Sequence, residues 1–317
     1  MHDVKITVLM PCYNAADYIA DAIQSVLTQT FRDFEFLIVN DGSTDNTAAL
    51  VRSFNDERIV FIEQKQQGIA AALNNGLKHA RADYIARFDA DDICFPDRLE
   101  KQFDYMQSNP ECIVAGSGAD YIDDAGNFVF TRYPLASKNE EIKGLAFYKC
   151  PFIHASVIFK KTTVTSLGYN INAHSFEDHL LWLQLKEKGN MYNMEEPLLS
   201  VRLNPRSFTM DERKRSKTFH QIKYKALKEE YISTCDGDTL LAIINLQNSS
   251  KSKEGAYYGL LAKKFLWNNY NPGMARFHMK KAITLNTFDI KDYLLLVISY
   301  LPKKVINTLY TKFVSTK

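Results

Sequence analysis

The sequence predicts an α/β protein: a Rossmann-like mixed sheet flanked by helices, followed by a smaller all-helical region. Three observations carry this. Apolar runs of strand length alternate with helical patterns through the first part, which is the signature of βαβ units and a parallel sheet. Polar clusters stand where those strands end, the place where open α/β sheets bind ligands. Past Phe208 the pattern is helical only, broken by polar stretches such as 235–238 and 271–273.

Taken in order, residues 5–10 read as a buried strand. Residues 16–29 read as a helix with Ile19, Ile23, Val26 and Leu27 on one face. A strand is expected over 34–40, a helix over 44–54, a strand over 59–63, a helix over 68–80 and a strand over 84–89. A helix start follows, with Pro96 at a plausible first helical position and Leu99 and Phe103 behind it. Beyond Pro110 the pattern changes. Residues 112–117 look like a strand, 121–122 and 128–130 flank the turn Asp123-Asp-Ala-Gly-Asn127 as a hairpin, 156–159 is a short strand, and 176–188 is an apolar helix. The stretch 256–286 loosely resembles one helix-turn-helix repeat of tetratricopeptide type, but a single copy is read as a plain helical pair.

The composition is that of an ordinary globular protein, with 317 residues, 46% hydrophobic and 24% charged. The net charge of +2 hides an asymmetry. Residues 1–209 carry 20 Lys and Arg against 28 Asp and Glu, and residues 210–317 carry 19 against 9. An acidic front and a basic tail imply two jobs and a boundary near 209/210. The five cysteines are scattered without a CxxC pair, which argues against a zinc site and against a disulfide framework and points to a reducing cytosol. No signal peptide fits ahead of the first strand. No apolar run approaches the roughly 20 residues of a spanning helix. The expected location is cytoplasmic.

The polar clusters carry the chemistry. Strand one ends in Pro11-Cys-Tyr13-Asn14, which alone is ordinary turn chemistry. Strand two ends in Asn40-Asp41-Gly-Ser43-Thr-Asp45. Ser43 can cap the next helix and Asp45 can favour its N-terminus, which leaves Asp41 able to accept a hydrogen bond from a base edge. Gly68 opens a helix of small residues, read either as tight packing or as backbone donors near a phosphate. Asp89, Asp91 and Asp92 crowd three carboxylates into four residues, which is costly unless a cation or strong donors sit among them. Hard oxygen ligands at a strand end suit Mg²⁺ or Mn²⁺. Ser175-Phe-Glu177-Asp178 reads either as a capping box or as a carboxylate aimed into the crevice as a general base. The helix end would lower that base's pKa, while burial and Asp91 would raise it.

Taken together, the ordered motifs PCYN, NDGSTDNT, QQGIAAALNNGL, ARFDADD followed by FPDRL, and FEDHLLWLQL resemble an inverting family 2 glycosyltransferase of the GT-A fold, over about residues 6–209. The resemblance implies that Pro11, Tyr13 and Asp41 hold base and ribose. It implies that Asp89 contacts ribose or diphosphate, that Asp91 coordinates a divalent metal, Mn²⁺ or Mg²⁺, with Asp89 second, and that Asp178 is the general base supported by Glu177. Gly68 lies with the nucleotide-binding group. His154 and Arg202 match residues near the family's sugar or acceptor pocket, although Val201 stands where the family often has Tyr before that Arg. The implied protein is a bacterial cell-surface polysaccharide enzyme. Its catalytic domain spans 1–209 and a basic helical region spans 210–317. Its expected partners are a nucleotide-sugar donor, a glycan or lipid-linked glycan acceptor, and the inner face of the cytoplasmic membrane through the basic helices. No nucleic-acid recognition motif accompanies the charge. Competing readings are a nucleotidyltransferase and a non-catalytic sugar-nucleotide-binding protein.

Overall fold

The computed structural model describes residues 4–207, 215–247, 249–286 and 290–313. The elements run β1 (Ile6–Cys12), α1 (Ile19–Leu27), β2 (Phe34–Asn40), α2 (Thr47–Ser53), β3 (Ile59–Glu63), α3 (Ile69–His79), β4 (Tyr84–Arg87), β5 (Ile93–Cys94), α4 (Arg98–Ser108), β6 (Cys112–Ile122), β7 (Phe128–Arg132), α5 (Asn139–Ala146), β8 (Ile158–Lys160), α6 (Lys161–Thr165), α7 (Glu177–Leu185) and β9 (Asn190–Arg202). Helices follow: α8 (Lys217–Glu229), α9 (Thr234–Gln247), α10 (Ser250–Trp267), α11 (Pro272–Leu285), α12 (Ile290–Ile298) and α13 (Lys303–Phe313).

The strands form one mixed sheet in the order β3-β2-β1-β4-β8-β6-β9-β5, with β7 paired to β6. β1 pairs in parallel with β2 and β4, and β2 with β3. β8 then runs antiparallel to β4 and β6. Every residue of β1 and β2 is buried, which is why both read as continuous apolar runs. The one acid among them, Glu35, is paired with Arg81 and accepts from the Thr7 hydroxyl at 2.6 Å. Below the sheet, α3 packs so closely that a Cβ on Gly76 would stand 2.2 Å from Leu9 Cδ1. α7 is sealed nearly all round by Leu180, Leu181, Trp182, Leu183 and Leu185.

Three expectations need correction. The helix expected at Pro96 starts at Arg98. The strand expected over 112–117 continues to Ile122 and merges with the first strand of the hairpin. The thirteen-residue β9 was not anticipated, because Pro197 and the exposed Glu195 and Glu196 break its apolar pattern. Pro197 is tolerated because its neighbour β5 is only two residues long and pairs at Leu199 and Ser200.

The chain groups into two compact units. One comprises residues 1–120, 132–201 and 217–241; the other comprises 121–131, 202–216 and 242–317. The boundary expected at 209/210 lies outside the described residues. The second unit has its own core, in which Tyr257, Leu261, Phe265, Leu266, Ala275 and Ile306 meet Val129 and Phe130 of the hairpin. There Tyr257 donates its hydroxyl to Asp124 Oδ1 at 2.6 Å. α10 and α11 form the helical pair expected over 256–286, and Asn271 caps α11 by accepting from Met274 N–H at 3.1 Å.

Candidate active site

The loops after β1 and β2 are stitched together. Parallel pairing sets Cys12 beside Asn40, so both strands deliver their polar ends to one edge. Asn14 takes a left-handed backbone (φ 48°), a conformation its short polar side chain tolerates. Its N–H donates to Ser43 Oγ at 2.9 Å, and its Oδ1 accepts from Thr44 N–H at 2.8 Å. Ser43 is therefore not the helix cap that its position promised. Asp45 does that work, accepting from Thr47 N–H at 3.0 Å and from Ala16 N–H at 3.1 Å. Burial acts to raise its carboxyl, but the bond from the Thr47 hydroxyl together with these two N–H bonds outweighs it and holds the carboxyl below the ordinary range. Tyr13 is left exposed at the mouth of this double loop, with Pro11 buried behind it.

Asp41 organises the next layer. Its carboxylate is 4% exposed and accepts from Gln64 Nε2 at 2.7 Å, Gln67 N–H at 2.9 Å and Gly68 N–H at 2.7 Å. It thereby fixes the start of α3. Gly68, at φ 92°, spends its backbone donor on Asp41, yet a Cβ there would meet nothing within 4 Å, so the space over it is open.

The end of β4 holds the acidic stretch. Arg87 is almost wholly buried and is ion-paired through Nη1 with Asp89 Oδ2. The crowding of carboxylates is thus met by a cation from within the chain. Asp91, half-buried, follows on the turn, and Asp92 is buried. Because β8 runs antiparallel to β4, the residues just before it fall beside Arg87, whose N–H donates to Val157 O at 2.9 Å. One short 3-10 turn earlier stands His154, whose Nε2 is 3.0 Å from the Tyr169 hydroxyl.

α7 brings the second pair of carboxylates. Ser175, with φ 73°, turns the chain immediately ahead of it. Of the two readings of this stretch, the capping box does not form: Asp178 Oδ1 accepts from His179 N–H at 2.7 Å, and Oδ2 accepts from the Cys150 thiol at 3.3 Å. Glu177 is 7% exposed, and its carboxyl is pushed up to about 7 by burial first and by Asp178 second, with Arg87 opposing. Burial likewise pushes the Tyr169 phenol far up, Arg87 opposing and Asp178, Glu177 and Asp89 adding to it.

The residues also suit a divalent cation. Asp91 and Asp89 offer only carboxylate oxygens, the donors a hard cation takes. Among the described residues no group of three or more His, Cys, Asp or Glu is arranged to hold a metal. Mg²⁺-type sites in which substrate phosphates and water complete the shell need only one or two protein carboxylates.

A sequence model described as "Glycosyl transferase family 2" matches residues 7–162. The amylovoran biosynthesis glycosyltransferase AmsE of Erwinia amylovora is 34% identical over 202 residues, covering 62% of this chain and 75% of AmsE. The chain belongs to glycosyl transferase family 2. A glycosyltransferase of Rickettsia felis is 29% identical over 85% of this chain but only 45% of its own length, so the chain spans less than half of that relative. Among solved structures, TarS of S. aureus in complex with UDP-GlcNAc covers 97% of this family 2 chain at a TM-score of 0.54 and 15% identity. The mannosyltransferase PcManGT of Pyrobaculum calidifontis, in complex with GDP-Man and Mn²⁺, covers 98% at 0.54 and 16%. These likenesses show the fold, the GT-A type expected from the motif order.

Within this family 2 framework His154 lies against Tyr169, the Cys150 thiol reaches Asp178, and Tyr13 and Asp41 follow the ends of the paired strands β1 and β2. Arg202 belongs to the second unit, is 7% exposed, and donates through Nη1 to the carbonyls of Asp123 and Asp124 at 3.3 and 3.1 Å. Three residues went unassigned in the sequence. Arg87 stood inside the acidic motif, and its signal was a lone cation ahead of three acids. Tyr169 and Cys150 lie in loops with no local pattern, and only the fold places them here.

Proposed function

We propose that this protein is a metal-dependent, inverting glycosyltransferase. It moves a sugar from a nucleotide-diphosphate donor, UDP-linked, to a hydroxyl of a glycan or lipid-linked acceptor in cell-surface polysaccharide assembly. The reading rests above all on one observation: the segment 150–157 ties the end of β4 to the start of α7, its Val157 carbonyl accepting from Arg87 N–H at 2.9 Å and its Cys150 thiol donating to Asp178 Oδ2 at 3.3 Å. Asp89, which follows Arg87, and the candidate base Asp178 are thus carried by elements that one short segment holds together, as a donor-side acid and an acceptor-side base require. The neighbours that bind UDP-GlcNAc or GDP-Man in the same fold support a nucleotide-sugar donor.

In this reading Pro11, Tyr13 and Asp41 hold the base and ribose. Three of the roughly four acceptor positions of the Asp41 carboxylate are used within the protein, which leaves one for a base N–H. The open space over Gly68 lies beside the nucleotide. Asp91, seconded by Asp89, holds the divalent cation, which when bound offsets the charge developing on the diphosphate. The acceptor hydroxyl gives its proton to Asp178 as its oxygen attacks the anomeric carbon. The bond from that carbon to the diphosphate oxygen breaks on the opposite face, and the configuration inverts. Glu177, held partly protonated near neutral pH, spares Asp178 an adjacent full negative charge.

The catalytic domain is proposed to span 1–209, with 210–317 as a basic helical region touching the cytoplasmic membrane surface. α12 supports that contact. It contains no buried residue, and Ile290, Leu294 and Val297 are 81%, 59% and 65% exposed at helical spacing. Its acid, Asp292, lies instead beside Gly259 of α10, and the exposed Lys303 and Lys304 follow. Among the described residues no helix is long and apolar enough to cross a membrane.

Thermal stabilisation by a panel of UDP-sugars and GDP-mannose, with Mn²⁺ or with EDTA, tests the donor assignment. A UDP-sugar at about 100 times its Kd adds about 2.7 kcal/mol, expected only when the cation is present. Stabilisation by GDP-mannose alone would overturn the UDP assignment. The absence of any nucleotide effect would overturn the enzyme reading.

A further inference from the structure

Tyr169 is held with unusual care for a loop residue. Asn74 of α3 grips its backbone from both sides, accepting from Tyr169 N–H and donating to Tyr169 O, each at 2.8 Å. Gly168, at φ 71°, makes the turn that delivers it. The side chain is 3% exposed, and among the described residues its hydroxyl has one hydrogen-bond partner, His154 Nε2 at 3.0 Å. The His154 ring lies against Tyr169 and edge-on to Trp182, with centroids 5.4 and 6.0 Å away.

The contact has only one satisfactory polarity. If His154 Nε2 carried the proton and donated, the phenol's own hydrogen would be buried with no acceptor, at a cost of roughly 1–3 kcal/mol. If the phenol donates, both groups are satisfied. Nε2 is then the unprotonated nitrogen, and the proton of the neutral ring sits on Nδ1. The partly exposed His154 makes no second hydrogen bond among the described residues, and its Nδ1 is not sealed from solvent in the interior.

We infer that Tyr169 is a positioning residue that locks His154 in the Nδ1–H form, and that this N–H is a neutral hydrogen-bond donor to a hydroxyl of the donor sugar. A neutral donor suits an uncharged hydroxyl in a pocket whose carboxylates and buried Arg87 already handle charge. The tautomer follows from the contact alone. The sugar contact rests on the nucleotide-sugar reading above.

The test has two arms. Ring ¹⁵N shifts of His154, assigned with His154→Gln, are expected to show Nε2 unprotonated and Nδ1 protonated in the wild type, and a tautomer mixture in Tyr169→Phe. The reverse pattern, or a wild-type mixture, overturns the inference. Calorimetry with UDP-N-acetylglucosamine and with UDP, both in Mn²⁺, then reads the sugar contact. Tyr169→Phe and His154→Gln are each expected to weaken the nucleotide sugar by about fivefold relative to UDP, the worth of one neutral hydrogen bond. An unchanged ratio overturns the sugar contact. If neither nucleotide binds the wild type, the donor assignment fails and the sugar contact with it, while the nitrogen shifts still decide the tautomer.

Discussion

Replacing Glu177 by Gln should make the protein more stable, and more so as pH rises. Glu177 is buried at the start of α7 beside Asp178, and its carboxyl is raised from the ordinary 4.5 to about 7, mainly by burial. At about 1.36 kcal/mol per pH unit, that elevation corresponds to about 3 kcal/mol. Below about pH 4.5 the side chain is protonated folded and unfolded, and it costs nothing. As pH climbs toward 7 the folded state keeps a proton that the unfolded chain has lost, so stability falls. Above that range both states are charged and the deficit is constant. Gln keeps the shape and an acceptor oxygen without the titration. The difference in unfolding free energy, variant minus wild type, should therefore grow by about 3 kcal/mol between about pH 4.5 and 7.5. Urea unfolding followed by fluorescence measures it. The chain's two tryptophans are Trp182 in α7 and Trp267 in the second unit, so a Trp267→Phe background isolates the unit that matters. A difference that stays flat with pH, or shrinks as pH rises, refutes the reasoning.

Three further outcomes are expected. Gly76→Ala should destabilise by about 1–3 kcal/mol despite Ala's better helix propensity, because the new methyl meets Leu9 Cδ1 at 2.2 Å; a raised urea midpoint would show that β1 yields there. Asp41→Ala strands the Gln67 and Gly68 N–H groups at the start of α3 and should cost about 3 kcal/mol, read by the same unfolding curves, while weakening UDP binding. Leu294→Glu with Val297→Glu should abolish flotation with vesicles containing anionic phosphatidylglycerol, and wild-type flotation should fade as salt rises; wild-type protein that never floats would end the membrane reading.

The parallel part of the sheet was legible because its information is local. β2 and β3 begin and end at the residues their apolar runs mark, 34–40 and 59–63: β2 is buried throughout and apolar on both faces, and the half-buried edge strand β3 carries the unbroken run Ile59–Ile62. The antiparallel part was less so. β9 carries the exposed acids Glu195 and Glu196 and then Pro197, so alternation gives no clean signal. At the site, carboxylates in motifs were visible one by one, but their partners were not. Ser43 looked like a cap because capping is a nearest-neighbour rule. Its hydroxyl is claimed by Asn14, twenty-nine residues away. Arg87, Tyr169 and Cys150 acquire meaning only when β8 folds back against β4 and α7 begins beside them.

The central claim is that Asp178 removes the acceptor's proton while other residues bind the donor. Asp178→Asn, compared with wild type for UDP affinity in Mn²⁺ and for UDP release from the best-stabilising UDP-sugar, tests it most directly. UDP affinity should stay within about threefold, and release should fall by about a hundredfold or more, the usual worth of a positioned base. Undiminished release would contradict the assignment. Loss of release and UDP affinity together would place Asp178 in binding instead.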